Sequence, residues 1–242
     1  MKIALVGYGK MGKEIEKIAL ERGHTISAKI TSKNPMTDDN MSDSDVAIDF
    51  STPGTVLDNI HFLLDHKIPS VIGTTGWNDH LSNVAQKVDN QDTSLIYASN
   101  FSLGVNLFFQ LNKQLAKLMS NYSDYEVSME EIHHTEKLDA PSGTAITLAE
   151  GIIENHPNVS NWYCPQGEKT EANSPAIQID AIREKDVKGT HTITYSSEID
   201  TIRIEHEAHN RKGFALGAVI AAEWIINKKG VFTMQDVLAD QQ

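Results

Sequence analysis

The sequence predicts an α/β fold in two parts, a doubly wound parallel sheet followed by a second α+β domain with a mixed or antiparallel sheet. Short apolar runs alternate with amphipathic helical patterns over residues 2–98, which is typical of a parallel sheet covered on both faces. Consecutive strand-like runs with short links occupy residues 176–209, which favours antiparallel or mixed pairing. We therefore expect two domains.

The first domain is predicted from its hydrophobic periodicity. A buried strand over residues 2–7 is followed by a helix with Met11, Ile15, Ile18 and Ala19 at helical spacing. Further strands are expected at 24–30, 46–51, 70–73 and 94–98, helices from Pro53 and over 78–90, and a polar loop over 34–44.

The second domain is predicted to begin with a helix that carries Phe108, Leu111, Leu115 and Leu118 on one side. The expected elements after it are a strand at 125–133, a helix ending near 155, a loop at 156–175 and strands at 176–183, 191–197 and 201–209. A final apolar helix over 213–227 is expected to return to the first domain. The predicted domains are therefore residues 1–102 with 214–242, and residues 103–213.

A glycine motif lies between the first predicted strand and the first predicted helix. Gly7-Tyr8-Gly9-Lys10-Met11-Gly12 fits G-x-G-x-x-G in the context that the motif needs. The first glycine permits the tight turn, the second lets a pyrophosphate approach the backbone, and the third lets the helix pack on the strand. We expect these six residues to bind a dinucleotide in a Rossmann-type domain, the alternative being a plain tight turn.

The second strand indicates which dinucleotide is bound. An acidic residue about 20 positions after the glycines normally binds the adenosine ribose of NAD, but no acid precedes Asp38 here. Thr31, Ser32 and Lys33 offer hydroxyls and an ammonium group instead, which suit a 2'-phosphate. We expect NADPH to bind at least as well as NADH, the alternative being that this loop is merely solvated.

The segment His133-His134-Thr135-Glu136-Lys137-Leu138-Asp139-Ala140-Pro141-Ser142-Gly143-Thr144-Ala145 carries the chemistry. Histidine titrates near neutrality, so an imidazole with an ammonium group nearby can supply both a proton and positive charge. Ser142 can cap a new helix whose first backbone N–H groups, at Gly143 and Thr144, would point at an anion. The segment therefore predicts a site for a small carboxylate.

Plainer interpretations of these residues stay open. Adjacent residues on a strand point to opposite faces, so His133 and His134 could not both face a cleft if the strand still continued there. Ser142 could be only a helix cap. The residues around Arg183, Lys185 and Lys188 either reach the active site or form a solvated hairpin.

A metal site is not expected. Six side chains could supply zinc ligands, but their spacing matches no common ligand pattern. These side chains are His133, His134, His191, His206, His209 and Cys164.

Composition excludes several classes of partner. The net charge of −12 argues against nucleic acid and against anionic membrane surfaces, since both attract basic patches. The chain has one cysteine, Cys164, and begins without an export signal, so we expect a reducing, cytoplasmic location. No apolar run approaches the roughly 20 residues needed to cross a bilayer.

With these motifs in view, the chain resembles the 4-hydroxy-tetrahydrodipicolinate reductases, also called dihydrodipicolinate reductases, of the diaminopimelate and lysine pathway. The resemblance runs nearly end to end, and the segment from Glu131 to Ala145 is its most specific part. The other matching parts are Gly7–Gly12, Asp49-Phe50-Ser51, Gly73-Thr74-Thr75-Gly76, Ser99-Asn100-Phe101-Ser102, Gly104-Val105-Asn106, Phe214-Ala215, Gly217-Ala218 and Ala221-Ala222-Glu223-Trp224.

The resemblance implies a role for each matching residue. His133 is the expected acid or base and Lys137 the expected proton donor, while His134, Gly143 and Thr144, with Ser142 at the helix start, bind the carboxylates of the substrate. The nicotinamide half of the cofactor is expected against Gly73, Thr74, Thr75, Ala98, Ser99, Asn100 and Phe101. The resemblance also implies a Rossmann domain completed by the C-terminal helix, a mixed-sheet substrate domain and a homotetramer.

Two other functions compete with the reductase activity that the resemblance implies. Another two-domain NAD(P) oxidoreductase, such as an amino-acid or aldehyde dehydrogenase, would act on a simple carbonyl. A nucleotide-sensing protein would bind NADPH without chemistry, but it would have no use for the arrangement of His133 and Lys137.

Overall fold

A computed structural model of the chain describes residues 1–167 and 175–240. Residues 168–174, which belong to the loop predicted over 156–175, lie outside the described part. Contacts divide the chain into two compact units, which we call unit 1 (Met1–Leu103 with Arg211–Gln242) and unit 2 (Gly104–Asn210).

The first stretch of unit 1 alternates strands and helices. In chain order these are β1 (Lys2–Val6), α1 (Lys10–Glu21), β2 (Thr25–Ile30), α2 (Asp38–Met41), β3 (Val46–Asp49), α3 (Val56–Asp65), β4 (Ser70–Ile72), a 3-10 turn (Asn78–His80), α4 (Leu81–Gln91) and β5 (Ser94–Tyr97).

The elements of unit 2 come next, and the last three elements belong to unit 1 again. In chain order these are α5 (Leu103–Met119), β6 (Glu126–His133), α6 (Gly143–Ile153), β7 (Asn161–Tyr163), β8 (Ala176–Arg183), β9 (Thr190–Ser196), β10 (Thr201–Glu207), α7 (Lys212–Ile225), β11 (Gly230–Phe232) and α8 (Met234–Ala239).

Six parallel strands form the sheet of unit 1, in the order β11-β5-β4-β3-β1-β2. The predicted parallel sheet is thereby confirmed. The strand order reverses between β1 and β3, because β2 lies on one side of β1 and β3 on the other. In open α/β sheets, ligands bind outside the carboxyl ends of the strands at such a reversal.

Alternation within β1 shows why helices cover both faces of this sheet. Ile3 and Leu5 point into a core that includes residues of α1 and α7. Ala4 and Val6 point the other way, into a core that includes a residue of α3. Because successive strand side chains alternate between faces, an unbroken apolar strand needs cover on both sides.

The C-terminal helix α7 completes the core of unit 1. An added Cβ at Gly217 would lie 1.7 Å from the carbonyl oxygen of Phe101, so the helix can approach this loop only because residue 217 has no side chain. Most of its other buried positions are also small, namely Ala215, Ala218, Ala221 and Ala222.

Unit 2 contains a five-stranded sheet in the order β10-β9-β6-β8-β7. Strand β6 is central, since it pairs parallel with β8 and antiparallel with β9. The predicted mixed sheet is confirmed, although β8 and β9 follow each other in sequence without pairing. Helices α5 and α6 cover one face, where Phe108, Ala116, Leu148 and Ile152 pack with Met129, Ile179 and Ile193.

Four short elements lie in segments for which the sequence predicted a loop or predicted no helix or strand. The four residues of α2 fall in the loop predicted over 34–44, the three residues of β7 fall in the loop predicted over 156–175, and β11 and α8 follow the last predicted helix. Segments this short contain too few residues to display a period. Capping boxes at Thr37 and Thr233 begin α2 and α8.

The start of α3 also differs from the prediction. The helix begins at Val56 and not at Pro53, because the backbone N–H groups of Thr55 and Val56 both donate to the carbonyl oxygen of Thr52 and form a turn first. Within the described residues, none of the helices has both the length and the apolar character needed to cross a membrane.

Candidate active site

The glycine turn follows β1 directly, and its backbone requires glycine. Gly7 has φ of 87°, a left-handed conformation that side chains disfavour. An added Cβ there would lie 2.2 Å from the carbonyl oxygen of Phe50, and one at Gly12 would lie 2.6 Å from the carbonyl oxygen of Gly7. The turn can therefore pack against both the end of β3 and the start of α1.

Gly9 is the N-cap residue of α1, and a Cβ there would meet nothing within 4 Å. Open space therefore lies beside Gly9, which leaves room for an anion to approach the start of α1. Lys10 is exposed and Met11 half-buried in the first turn of this helix. The ring of Tyr8 is anchored beside them, because its hydroxyl donates to Glu16 and Lys29 lies over its face.

A cleft of about 500 Å³ opens at the carboxyl ends of β1, β2 and β3. Gly7, Tyr8 and Gly9 line it together with Thr31 and Ser32. A dinucleotide fits this arrangement, because bare glycine backbone and a helix start meet in one cleft. Among the described residues that line the cleft there is no acid.

The loop after β2 is a tight turn. Thr31 and Asn34 exchange backbone hydrogen bonds of 3.0 Å in both directions, and the Thr31 hydroxyl oxygen accepts from the backbone N–H groups of Lys33 and Asn34. Lys33 itself is exposed and does not line the cleft. Asp38 forms an ion pair with His66 at 3.0 Å instead of lining the cleft.

A buried carboxylate, Asp49, organises the loops after β3 and β4. It accepts hydrogen bonds from the backbone N–H and hydroxyl of Ser51 at 2.9 and 2.8 Å, from the hydroxyl of Thr74 at 2.6 Å and from the side-chain amide of Asn59 at 2.9 Å. Gly73 precedes Thr74, and an added Cβ there would lie 2.3 Å from the ring of Phe50. Asp49 thus fixes the positions of residues predicted to bind the cofactor.

The predicted nicotinamide residues lie after β4 and β5. Thr74, Thr75, Ala98 and Ser99 line a crevice of about 120 Å³. The side-chain oxygen of Asn100 accepts from the backbone N–H of Ser102, and Phe101 is buried with its ring 5.9 Å from that of Phe50. Phe101 therefore contributes packing. The crevice is lined by the ends of β4 and β5 and the loops after them, and Gly73, Asn100 and Phe101 are not among its lining residues.

In unit 2, His133 is the last residue of β6. It points to the same face as Glu131 because strand side chains two residues apart share a face. The neighbouring strands add two more side chains on that face, since Glu131 lies opposite His191 of β9 and His133 lies opposite Arg183 of β8. Sheet register thus gathers four polar side chains.

Glu131 is fully buried and lies at the centre of this cluster. The backbone N–H of Ser142 donates to both of its carboxylate oxygens at 3.0 and 3.1 Å, and Arg183 donates to Oε1 at 3.1 Å. Its Oε2 lies 3.4 Å from Nδ1 of His133 and 3.7 Å from Nε2 of His191. A carboxylate in such surroundings stays ionised.

Burial and neighbouring charges shift the pKa values of Glu131 and His191. Burial alone would raise the pKa of Glu131, but the adjacent His133 imidazole and hydrogen bonds from Ser142 lower it to about 2. Burial and then the positive charge of His133 lower the pKa of His191 to about 3, although Glu131 acts in the opposite direction. His191 is therefore a neutral imidazole near neutral pH.

Lys137 lies in the turn after His134 and pairs with Asp139 at 2.7 Å. Partial burial opposes ionisation of Asp139, but the hydrogen bond from Lys137 lowers the pKa of its carboxyl group. Arg183 donates to the carbonyl oxygens of Lys137 and Asp139 at 3.3 and 2.6 Å. The same guanidinium group thus connects Glu131 to the segment that carries Lys137.

The predicted substrate-binding residues differ in accessibility. Ser142 is buried, its hydroxyl oxygen accepts from the N–H of Ala145 at the start of α6, and its own N–H is taken by Glu131. Gly143 is exposed, and Thr144 and His134 are half-buried. The helix start therefore offers Gly143 and Thr144 to a ligand, whereas Ser142 supports them from beneath.

The sequence assigned no role to Glu131, considered His191 only as a metal ligand, and left open whether Arg183 reaches the active site. The structure brings all three into this cluster. Alternation along β6 could have placed Glu131 beside His133, because the two residues are two apart in a strand. No local pattern could have added Arg183 and His191, which come from other strands.

The donor atoms of Glu131, His133 and His191 lie within 4.8 Å of one another, so this group could hold a metal ion. The Glu131 carboxylate, however, already accepts from the Arg183 guanidinium and the backbone of Ser142. A fixed cation 3.1 Å from the carboxylate opposes a second one. The donor set therefore suits proton transfer better than metal binding.

Comparison with known proteins identifies relatives of the whole chain. Residues 1–101 match the family model described as dihydrodipicolinate reductase, N-terminus, and residues 104–238 match the one described as dihydrodipicolinate reductase, C-terminus. The 4-hydroxy-tetrahydrodipicolinate reductase of Christiangramia forsetii is 50% identical over 99% of this chain and 98% of its own length. That of Alkaliphilus metalliredigens is 36% identical over 98% and 99%.

A solved structure has the same fold. Dipicolinate-bound dihydrodipicolinate reductase from Paenisporosarcina sp. TG-14 superposes with a TM-score of 0.75 at 24% identity, covering 96% of this chain and 97% of that one.

Proposed function

The chain belongs to the dihydrodipicolinate reductase family, and we propose that residues His133 to Thr144 bind its substrate and deliver the proton of its reaction. The protein reduces 4-hydroxy-tetrahydrodipicolinate, or the dihydrodipicolinate formed from it, to tetrahydrodipicolinate in diaminopimelate and lysine biosynthesis. The observation that carries the proposed site is the buried cluster around Glu131, which places His133 at the end of β6 and beside the start of α6.

The proton is needed because of the chemistry of the substrate. A nicotinamide cofactor, when bound, supplies a hydride to an electron-poor carbon of the cyclic imine, so negative charge builds up on the side of the ring nitrogen. His133 and Lys137 are the two groups proposed to neutralise it. Positioned acid catalysis of this kind contributes about 10²- to 10⁴-fold.

The two carboxylates of the substrate need fixed donors, since the protein as a whole is acidic, with a net charge of −12. We assign this role to His134 and to the backbone of Gly143 and Thr144 at the start of α6, where the helix dipole favours an anion. Ser142 contributes as the cap that holds this helix start in place. Lys137 adds positive charge nearby.

The cofactor is proposed to lie in the cleft of unit 1, with its pyrophosphate at Gly7, Tyr8, Gly9, Lys10, Met11 and Gly12. Its nicotinamide half is assigned to Gly73, Thr74 and Thr75 after β4 and to Ala98, Ser99, Asn100 and Phe101 after β5. We propose that NADPH binds at least as well as NADH. Thr31 and Ser32 line the cleft, none of the described residues that line it is acidic, and Lys33 is the next residue in sequence. A Michaelis constant far lower for NADH than for NADPH would contradict this.

We further propose that the protein is a cytoplasmic homotetramer that associates through unit 2. Exposed apolar side chains on α5 support an interface there, since large apolar groups on one surface mark association sites. These are Leu107, Leu111 and Leu118, which are 52, 48 and 67% exposed. Light scattering that returned the mass of a single chain would refute the tetramer.

A coupled assay tests the reaction and the site together. Pyruvate, aspartate semialdehyde and the preceding synthase are supplied, and NADPH absorbance is followed with and without the protein. We expect NADPH oxidation that depends on the protein and is largely lost in His133→Gln. Oxidation with aspartate semialdehyde alone would point to the rival carbonyl dehydrogenase.

A further inference from the structure

The role of Glu131 in unit 2 follows from what surrounds its side chain. We propose that Glu131 is a positioning residue for His133. The Glu131 carboxylate accepts a hydrogen bond from Nδ1–H of His133, so Nε2 is the nitrogen through which the ring exchanges protons. This inference rests on the proposed function of His133 and assigns to Glu131 no contact with substrate or cofactor.

The orientation of the carboxylate is fixed before it meets the histidine. Ser142 donates its N–H to both oxygens, and Arg183 holds Oε1 at 3.1 Å. Oε2 is thereby directed at Nδ1 of His133, 3.4 Å away. This distance is longer than a full hydrogen bond, and catalytic hydrogen bonds commonly shorten when substrate binds.

Gly189 lies beside Nε2 of His133, and an added Cβ would stand 3.0 Å from that atom. Gly189 has φ of 149°, which side chains rarely adopt. The backbone conformation and the close approach both call for glycine at this position, so residue 189 places no side chain against Nε2.

A second imidazole competes for the same carboxylate oxygen. His191 lies 3.7 Å from Oε2, and its ring centroid is 5.1 Å from that of His133. Two cations at this separation repel, so they do not both stay charged. Because burial keeps His191 neutral and its Nε2 lies 3.2 Å from the Ser142 hydroxyl, the positive charge that Glu131 stabilises is that of His133.

Among the described residues, the other charged and titratable groups around the pair are Arg183 on β8, Lys137 and Asp139 in the turn after β6, His206 on β10 and the buried thiol of Cys164. Arg183 and Lys137 disfavour a further positive charge on His133, and Glu131 and Asp139 favour it. Glu131 is the carboxylate nearest to the ring, so it has the largest favourable effect.

The proton step follows directly from this arrangement. The Nε2–H bond of the His133 imidazolium breaks, its electron pair stays on the ring, and the proton goes to the substrate where the hydride has left negative charge. Glu131 remains ionised throughout and keeps the proton on Nδ1.

The primary test uses Glu131→Gln. Its amide keeps the shape of the carboxylate but can donate to Nδ1, which moves the proton of the neutral ring to Nε2, and it removes the negative charge beside the imidazolium. We expect kcat to fall about 10²-fold or more, and the alkaline limb of the kcat/KM profile to move down by at least about one pH unit. NADPH affinity should stay within about twofold of wild type.

Glu130→Gln is the matched control, because Glu130 is exposed on the same strand and loses the same charge. It should keep both kcat and the pH profile. Glu131→Asp retains the charge at a longer distance, so it should restore the position of the alkaline limb while recovering only part of kcat. A kcat for Glu131→Gln equal to that of Glu130→Gln, with an unmoved alkaline limb, would overturn the proposal.

A measurement on the wild-type protein avoids any question of folding. Nitrogen NMR of the neutral His133 ring should find the hydrogen on Nδ1, and a hydrogen on Nε2 would refute the positioning role. Failure of the proposed function would give a different result from failure of the positioning role. If His133 is not the acid, His133→Gln keeps wild-type turnover, whichever ring nitrogen carries the hydrogen in the wild-type protein.

Discussion

The two units each contain a buried carboxylate near a predicted site, and the two carboxylates have opposite kinds of partners. Asp49 in unit 1 accepts four hydrogen bonds from Ser51, Thr74 and Asn59, all of them neutral donors. Glu131 in unit 2 faces a guanidinium group and two imidazoles in addition to the backbone of Ser142.

The difference indicates what each carboxylate does. Hydroxyl and amide donors keep the same charge over the working pH range, so Asp49 can only shape the loops that it joins. Imidazoles change charge near neutrality, so the cluster around Glu131 can take up and release a proton. A shared feature, burial of a carboxylate, therefore supports binding geometry in one unit and acid–base chemistry in the other.

The largest effect is expected at the lysine that lies close to the Glu131 cluster. Lys137→Ala should lower kcat by about 10²- to 10⁴-fold, because the substrate loses the ammonium group that attracts it and assists protonation. NADPH affinity should remain near normal, and steady-state kinetics with fluorescence titration of the cofactor measures both. Lys117→Ala, an exposed lysine of unit 2, is the control. If Lys137→Ala abolished cofactor binding, the lysine would have been assigned to the wrong site.

A second prediction concerns the acid stability of unit 2. The pKa of His191 is lowered in the folded protein from an ordinary 6.5 to about 3, so between these values the unfolded chain binds the extra proton. Stability should therefore fall as pH drops from about 6.5 toward about 3, by an amount on the order of a few kcal/mol. Thermal unfolding across this range should show the loss.

His191→Asn removes the titrating group and should flatten that dependence, whereas His209→Asn, at an exposed histidine of the same unit, should not. The carboxyl group of Glu131 adds a loss of the same sign at lower pH, below its ordinary 4.5, because its pKa is lowered to about 2. Equal pH dependence in wild type and His191→Asn would show that His191 is not held neutral.

A third prediction addresses Asp49. Asp49→Ala leaves the four donors of Ser51, Thr74 and Asn59 without their acceptor, which should destabilise the protein by about 1–3 kcal/mol and weaken NADPH binding. The shape of the kcat/KM pH profile should not change, because none of these partners titrates. Denaturant unfolding and the pH profile measure the two quantities, and a displaced profile would break the contrast with Glu131.

The smallest effect is expected at the edge of the cofactor cleft. Lys33→Ala should raise the Michaelis constant for NADPH by up to about fivefold, since an exposed ion pair contributes about 1 kcal/mol or less, and should leave that for NADH unchanged. Lys17→Ala, an exposed lysine on α1, should affect neither. An equal change for both cofactors would mean that Lys33 does not contact the 2'-phosphate.

Hydrophobic patterns predicted the long elements of both sheets and the short strand β4, but they missed β7 and β11. Strand β8 begins and ends where the pattern predicted, over Ala176–Arg183, because eight alternating residues display a clear period. Strands β7 and β11, with three residues each, depend on pairing with a neighbour. Pairing of this kind comes from residues distant in sequence, which a local pattern does not contain.

The candidate site divides in the same way. The segment from His133 to Thr144 is contiguous, so its residue types were sufficient to predict carboxylate binding and proton transfer. The objection that adjacent strand residues point apart is weakened, because β6 ends at His133 and His134 lies in the turn after it. The predicted roles of the individual residues stay predictions until the variants are measured.

The sequence by itself determined the two-part α/β class, the family and the chemistry of the two motifs, because each is encoded in neighbouring residues. The tertiary structure alone decided that Glu131 would meet Arg183 and His191. Those residues lie 52 and 60 positions further along the chain, but the register of β6 with β8 and β9 brings them to one buried carboxylate. Burial then converts that proximity into shifted pKa values, and burial exists only in the folded protein.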